Sequence, residues 1–188
     1  MDTVARVIEA IEAGVPATAE RLLPLVYEEL RRMAAAQMAR ERPGQTIDAT
    51  GLVHEAYMRL VGQSAFNGKS HFFRAAAEAM RRILVDNARQ KRTLKRGGKR
   101  NRFELSESDR VTLPDSDTLL AIDEALSKLT VEDPNSAEIA RLRLFAGVSI
   151  DEAADLLGIS RATAFRDWQY ARAVLSAAIQ GDNKFSDS

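Results

Sequence analysis

Apolar positions recur at steps of three and four along most of this chain, and alternation at steps of two is nearly absent. Val4, Val7, Ile8 and Ile11 share one side of residues 2–13, and Gly14 to Pro16 breaks that stretch. Leu25, Val26, Leu30, Met33 and Ala34 continue the pattern from Pro24 to about Arg42, where Pro43-Gly44 turns the chain. A helix is predicted from about Thr50 to Val61, burying Leu52, Val53, Ala56 and Leu60 and leaving His54, Glu55, Met58 and Arg59 outside. After Asn67-Gly68, Ser70 is placed to cap a long helix beginning near His71, with Phe72, Ala76, Ala79, Met80 and Ile83 as its inner stripe. Its other side holds Arg74, Glu78, Arg81, Val85 and Arg89. An apolar Val85 among charges predicts that this side is partly covered, by a neighbouring helix or by a partner.

From Gly97-Gly98 to about Asp117 the periodicity stops, and this stretch reads as a flexible linker. Leu119, Leu120, Ile122, Ala125, Leu126 and Leu129 then mark a helix. Asp133-Pro134 starts another that buries Ile139, Leu142 and Phe145 and ends near Gly147. Ser149 and Glu152 have capping-box spacing ahead of the stripe Ile150, Ala153, Ala154 and Leu157, and Gly158 ends that short helix. Ser160 is placed to cap the last helix, whose buried side is Ala164, Trp168, Ala171 and Leu175. Arg166 and Gln169 point away from that side, with Arg161 and Phe165 on its flanks, and Trp168 reads as a core anchor. Two short helices about a glycine, the second presenting Arg161, Thr163 and Arg166 near its start, have helix-turn-helix spacing. Asp167 weighs against contact with phosphates there. The fold class expected is all-α, in two small helical domains over 1–96 and 117–180, with a linker over 97–116 and a polar tail over 181–188.

Charge changes the picture locally. The chain has 27 basic and 27 acidic residues, a balance that by itself argues against nucleic acid. Between Arg81 and Arg102, however, ten basic residues stand against one acid, Asp86, and such a block is an electrostatic footprint for phosphate. Phe66, His71, Phe72 and Phe73 lie beside it. Rings next to cations suit single-stranded nucleic acid, although packing in the core is an equal use for any one of these phenylalanines. The absence of Cys excludes disulfides and fits a reducing cytoplasm. The first residues lack a signal-peptide core, and no apolar run is long enough for a membrane span. His54-Glu55 invites a zinc reading, but a second His is needed where Met58 stands, so neither metal nor cofactor is expected. An enzyme acting on nucleic acid would need a carboxylate cluster, a phosphate loop or a nucleophile with its base, and none is apparent.

In this order and spacing the motifs resemble the extracytoplasmic-function (ECF) sigma factors of bacterial RNA polymerase, over nearly the whole chain. GLVHEAYMRLV at Gly51 to Val61 resembles the helix of region two that grips the clamp helices of the polymerase largest subunit. HFFRAAAEAMRRILVDNARQKR at His71 to Arg92 is similar to the promoter-melting and minus-ten helix, and SIDEAADLLGISRATAFRDWQYARAVL at Ser149 to Leu175 resembles region four. The resemblance implies core-polymerase contacts at His54, Glu55, Met58 and Arg59. It implies minus-ten DNA contacts among Phe72, Arg74, Arg81, Arg82, Asp86, Arg89, Lys91, Arg92, Lys95 and Arg96. For the minus-thirty-five duplex it implies Arg161, Thr163, Phe165, Arg166, Gln169 and Arg172. Core RNA polymerase and promoter DNA would be the partners, with an anti-sigma factor as a further candidate. Ala75 stands where many members carry Trp, Arg82 where they often carry Asn, Phe165 for a frequent Lys and Asp167 for a frequent Arg. The other reading of the same residues is an autonomous helix-turn-helix regulator, which would require a dimer on paired half-sites.

Overall fold

A computed structural model describes residues 49–61, 68–94 and 115–184. The expected helices before residue 49, the linker over 97–114, Phe66, Lys95 and Arg96 lie outside the described residues. Helix α1 (Ala49–Val61) buries Leu52, Val53, Ala56 and Leu60, spaced so that all four lie on one face. They pack against α2 (Gly68–Leu94), whose 27 residues extend about 40 Å at the usual rise. This helix starts earlier than its sequence suggests. Ser70 sits inside its first turn rather than at its cap.

Asp115 begins α3 (Ser116–Glu132), its carboxylate accepting from the Thr118 amide at 3.1 Å. Asp133 both ends α3 and starts α4 (Pro134–Arg141). Its amide donates to the Leu129 carbonyl at 2.8 Å, while its side chain accepts from the amides of Asn135 and Ser136. The hydrogen bond from the Ser136 hydroxyl, helped by the amides, holds the Asp133 carboxyl below its ordinary range. Proline follows at the first helical position, where its missing N–H costs nothing.

The helix then widens into one π-helical turn, Leu142–Ala146, in which all five residues are buried. Gly147 ends it in the left-handed region at φ 66°. The capping box at the start of α5 (Ile150–Leu157) is complete: the Ser149 amide donates to Glu152 at 2.8 Å, and the Glu152 amide donates to the Ser149 hydroxyl at 3.2 Å. The buried stripe uses Leu156 where the spacing pointed to Leu157, which is only partly covered. Gly158, at φ 65°, turns the chain into α6 (Arg161–Lys184), which continues past Gly181 into the stretch expected as a tail.

Helix α2 packs along α3 and the π turn, while α6 packs against α3, α4 and α5. One connected apolar core therefore runs from Leu52 in α1 to Ile179 in α6. The fold is all-α, and the described residues contain no strand.

Candidate nucleic-acid interface

Two basic surfaces are built on this scaffold. The first is a stripe on α2. Arg74, Glu78, Arg81, Val85, Arg89 and Arg92 follow one another at steps of four, three, four, four and three, so they share a face. The sequence predicts partial cover for this face: Val85 is 3 % exposed, and α3 and α4 both pack against α2. Acids from those helices meet the arginines one by one. Arg74 lies 3.4 Å from Glu138, Arg81 is bonded to Asp123, Arg89 reaches Asp123 at 3.8 Å, and Arg92 approaches Asp117 at 4.0 Å. Within α2, Glu78 accepts from Nε and Nη2 along one edge of the Arg81 guanidinium at 2.9 and 3.0 Å and from Arg82 at 2.7 Å. Arg141 of α4 stands 3.8 Å from the same carboxylate.

Burial opposes ionisation of Glu78, but the hydrogen bonds and charges of Arg81 and Arg82 outweigh it and bring the carboxyl down to about 2. Arg81 is raised above its ordinary value, first by its hydrogen bond to Glu78 and then, against burial, by the charges of Asp123 and Glu78. A cleft of about 660 Å³ opens beside this network, lined by Arg74, Arg82, Arg141 and Ser127 among others.

The second surface is the outer face of α6. Ser160 caps it, accepting from the Thr163 amide at 3.1 Å, and its hydroxyl lies 2.9 Å from that of Thr163. Ala164, Trp168, Ala171 and Leu175 are fully buried, which fixes the rotation of the helix. Arg161, Phe165, Arg166 and Tyr170 are consequently exposed, Phe165 at 48 %. Gln169 and Arg172 are partly covered. Asp167 is turned inward, 8 % exposed, so the acid expected to repel phosphates does not face them. Arg161 reaches back to Asp151 of α5 across the turn. The start of α6 thus presents two exposed arginines over a buried hydrophobic base, Arg161 paired with Asp151 and Arg166 3.4 Å from Asp167.

A family model described as ECF sigma factor matches residues 1–181. The chain belongs to the ECF sigma factor family. No curated protein and no solved structure matches it. Among the described residues, no group of three His, Asp or Glu is placed to hold a metal, and no helix is long and apolar enough to cross a membrane.

In this ECF sigma factor, the residues singled out from sequence fall unequally. On α1, His54 and Met58 are exposed, and Glu55 and Arg59 are bonded to each other at 2.9 Å, so the four form one outward patch. Arg59 also lies 3.6 Å from Asp86 on α2, tying the patch to the basic helix. Phe72 is a correction. It is 1 % exposed and meets Phe73 edge-on at 5.4 Å, so its ring belongs to the core and is not open to a base. Arg82, Arg89 and Arg92 are exposed, Lys91 is partly covered, and Asp86 lies 3.8 Å from Arg89. The sequence reading missed Asp117, Asp123, Glu138, Arg141 and Arg143. Arg143 alone left a signal, a single cation inside the apolar run LRLFA.

Proposed function

We propose that this ECF sigma factor docks on core RNA polymerase through the outward face of α1, holds the melted minus-ten region along α2, and reads the minus-thirty-five duplex with α6. The α5–α6 pair is the observation that carries the reading. Its second helix is locked in rotation by four fully buried residues, while Arg161, Phe165 and Arg166 are exposed near its start, the two arginines leaning on Asp151 and Asp167. An arginine that takes both acceptors of a guanine contributes about 1–3 kcal/mol of discrimination, and Arg166, exposed and held by long 3.4 Å contacts to Asp167, is the cation best set for it. Phe165, apolar and half-exposed, suits the methyl group of a thymine. The arginines of α2 would grip backbone phosphates, which set affinity and register but carry little sequence information. With Phe72 in the core, α2 acts by charge, and stacking on that ring plays no part.

On α1, Met58 offers an apolar contact at 58 % exposure, ringed by His54, Glu55 and Arg59. An apolar centre with a charged rim is the usual anatomy of a protein–protein contact. The polymerase would supply the chemistry, and an anti-sigma factor would compete for these same faces. Reversing the charge at Glu55 with Glu55→Lys tests the docking surface. Helical content should be unchanged, while retention on immobilised core polymerase falls at least tenfold. Undiminished retention would remove α1 from the proposal.

A further inference from the structure

The cleft of about 660 Å³ between α2, α3 and α4 has the size of a small-molecule site, for which about 300–1,000 Å³ is usual. Four arginines line it, Arg74, Arg81, Arg82 and Arg141, against two carboxylates, Glu78 and Glu138. Both carboxylates are shared. Glu78 serves Arg81 and Arg82, with Arg141 3.8 Å away, and Glu138 serves Arg74 and Arg141. Asp123, outside the lining, takes Arg81 from behind but is itself divided with Arg89. Donors exceed acceptors as well: the buried Nε of Arg141 has no hydrogen-bond acceptor among the described residues. A concave surface with two more guanidinium groups than carboxylates selects an anion.

The rest of the lining narrows the choice of anion. Ala75 contributes only a methyl group and Leu126 a branched apolar side chain, so part of the cleft has room for a flat ring. Guanidinium planes stack on such rings. The Ser127 hydroxyl donates to the Asp123 carbonyl at 2.9 Å, so what it offers the cleft is an acceptor. We propose that this cleft binds a free nucleoside monophosphate, its phosphate among Arg74, Arg82 and Arg141, its base against Ala75 and Leu126, and a ribose hydroxyl donating to Ser127. A phosphate monoester carries about two negative charges at neutral pH, which matches the surplus of arginine. The site rests neither on docking through α1 nor on duplex reading by α6. A ligand held there bridges α2 to α3 and α4, and binding to the folded chain alone raises its stability.

Isothermal titration calorimetry on the full chain with AMP, GMP, CMP and UMP, and with inorganic phosphate, tests the site. At least one nucleotide should bind once per chain, at least tenfold more tightly than inorganic phosphate, and raise the melting temperature. Arg141→Gln removes one charge and should weaken that nucleotide at least tenfold. Ala75→Trp keeps every charge but occupies the room for the base. It should weaken the nucleotide at least tenfold and change inorganic phosphate binding less than twofold. Ser127→Ala, the mildest of the three, should weaken the nucleotide several-fold and leave inorganic phosphate alone. Circular dichroism confirms that each variant is folded before it is titrated. Three results would each overturn the site: no heat from any nucleotide at millimolar concentration, affinity no better than that of inorganic phosphate, or undiminished binding by the folded variants.

Discussion

The guanidinium carbon of Arg143 lies 4.6 Å from the centroid of the Trp168 ring, and the two side chains are 1 % and 0 % exposed. This contact joins the π turn to the middle of α6. A cation over a desolvated indole contributes up to about 2 kcal/mol, and the ring itself fills the space under α6. Trp168→Ala should therefore cost about 3–5 kcal/mol, the range for removing a large buried aromatic. Trp168→Phe should cost much less, because the indole N–H has no hydrogen-bond partner to lose. Chemical denaturation followed by far-ultraviolet circular dichroism checks both. Equal losses for the two variants would show that the ring does not anchor this helix.

Gly158 tests the turn between α5 and α6 by conformation alone. A Cβ at that position would meet nothing within 4 Å, yet φ is 65°, a region that costs other residues about 1–2 kcal/mol. Gly158→Ala should lower stability by that amount, and Gly158→Asn by less, since Asn tolerates the left-handed region. Thermal melting of the three proteins decides it. A neutral Gly158→Ala would mean that the turn relaxes to another geometry.

Acid should loosen the α2 network before it unfolds the helices singly. Glu78 is depressed from 4.5 to about 2, so its contribution to stability is fully present above pH 4.5 and disappears as pH falls towards 2. Allowing for its partial exposure, that contribution is on the order of 1–2 kcal/mol. Between pH 5 and pH 2, wild-type stability should fall more steeply than that of Glu78→Gln. Parallel curves for the two proteins would remove Glu78 from the account.

The two surfaces proposed to meet DNA should fail in different ways when mutated. Arg166→Ala should relax preference at one upstream promoter position by about 1–3 kcal/mol and leave the other positions alone. Replacing single thymines of that element by deoxyuridine should weaken wild-type binding at one site, and Phe165→Ala should abolish that sensitivity. Arg92→Ala should weaken binding to all promoters alike and reduce the slope of log affinity against log salt by about one. A randomised promoter library read at several salt concentrations separates these outcomes. Identical profiles for Arg166→Ala and Arg92→Ala would contradict the division of labour.

Most of the scaffold was legible because it depends on local rules. Ser149–Glu152, Asp133-Pro134 and Gly158 fix where helices start and stop through contacts within a few residues, and the structure forms each of them. The stripe Ala164, Trp168, Ala171, Leu175 set the rotation of α6 and so placed Arg166 outward, although Gln169 is partly covered and Asp167 is buried. What the sequence could not show is pairing across distance. Asp123 sits next to the apolar stripe of α3, and only the packing of α2 on that helix reveals that it faces Arg81, 42 positions away. Phe72 fell on the inner stripe and yet was also a candidate for DNA contact, for a related reason. A phenylalanine beside cations has the same local context in a stacking platform and in a core, and tertiary burial alone separates them. Arg143 escaped because one cation in an apolar run reads as an interruption until the indole beneath it is seen.

The central claim is that this chain makes a polymerase selective. Transcription from fragmented bacterial genomic DNA by core polymerase, with and without the protein, tests it most directly when the start sites are mapped. The account predicts a defined set of new starts that share two spaced upstream elements, and loss of those starts with Glu55→Lys or Arg166→Ala. Starts unchanged by the protein, despite its association with core enzyme, would contradict it.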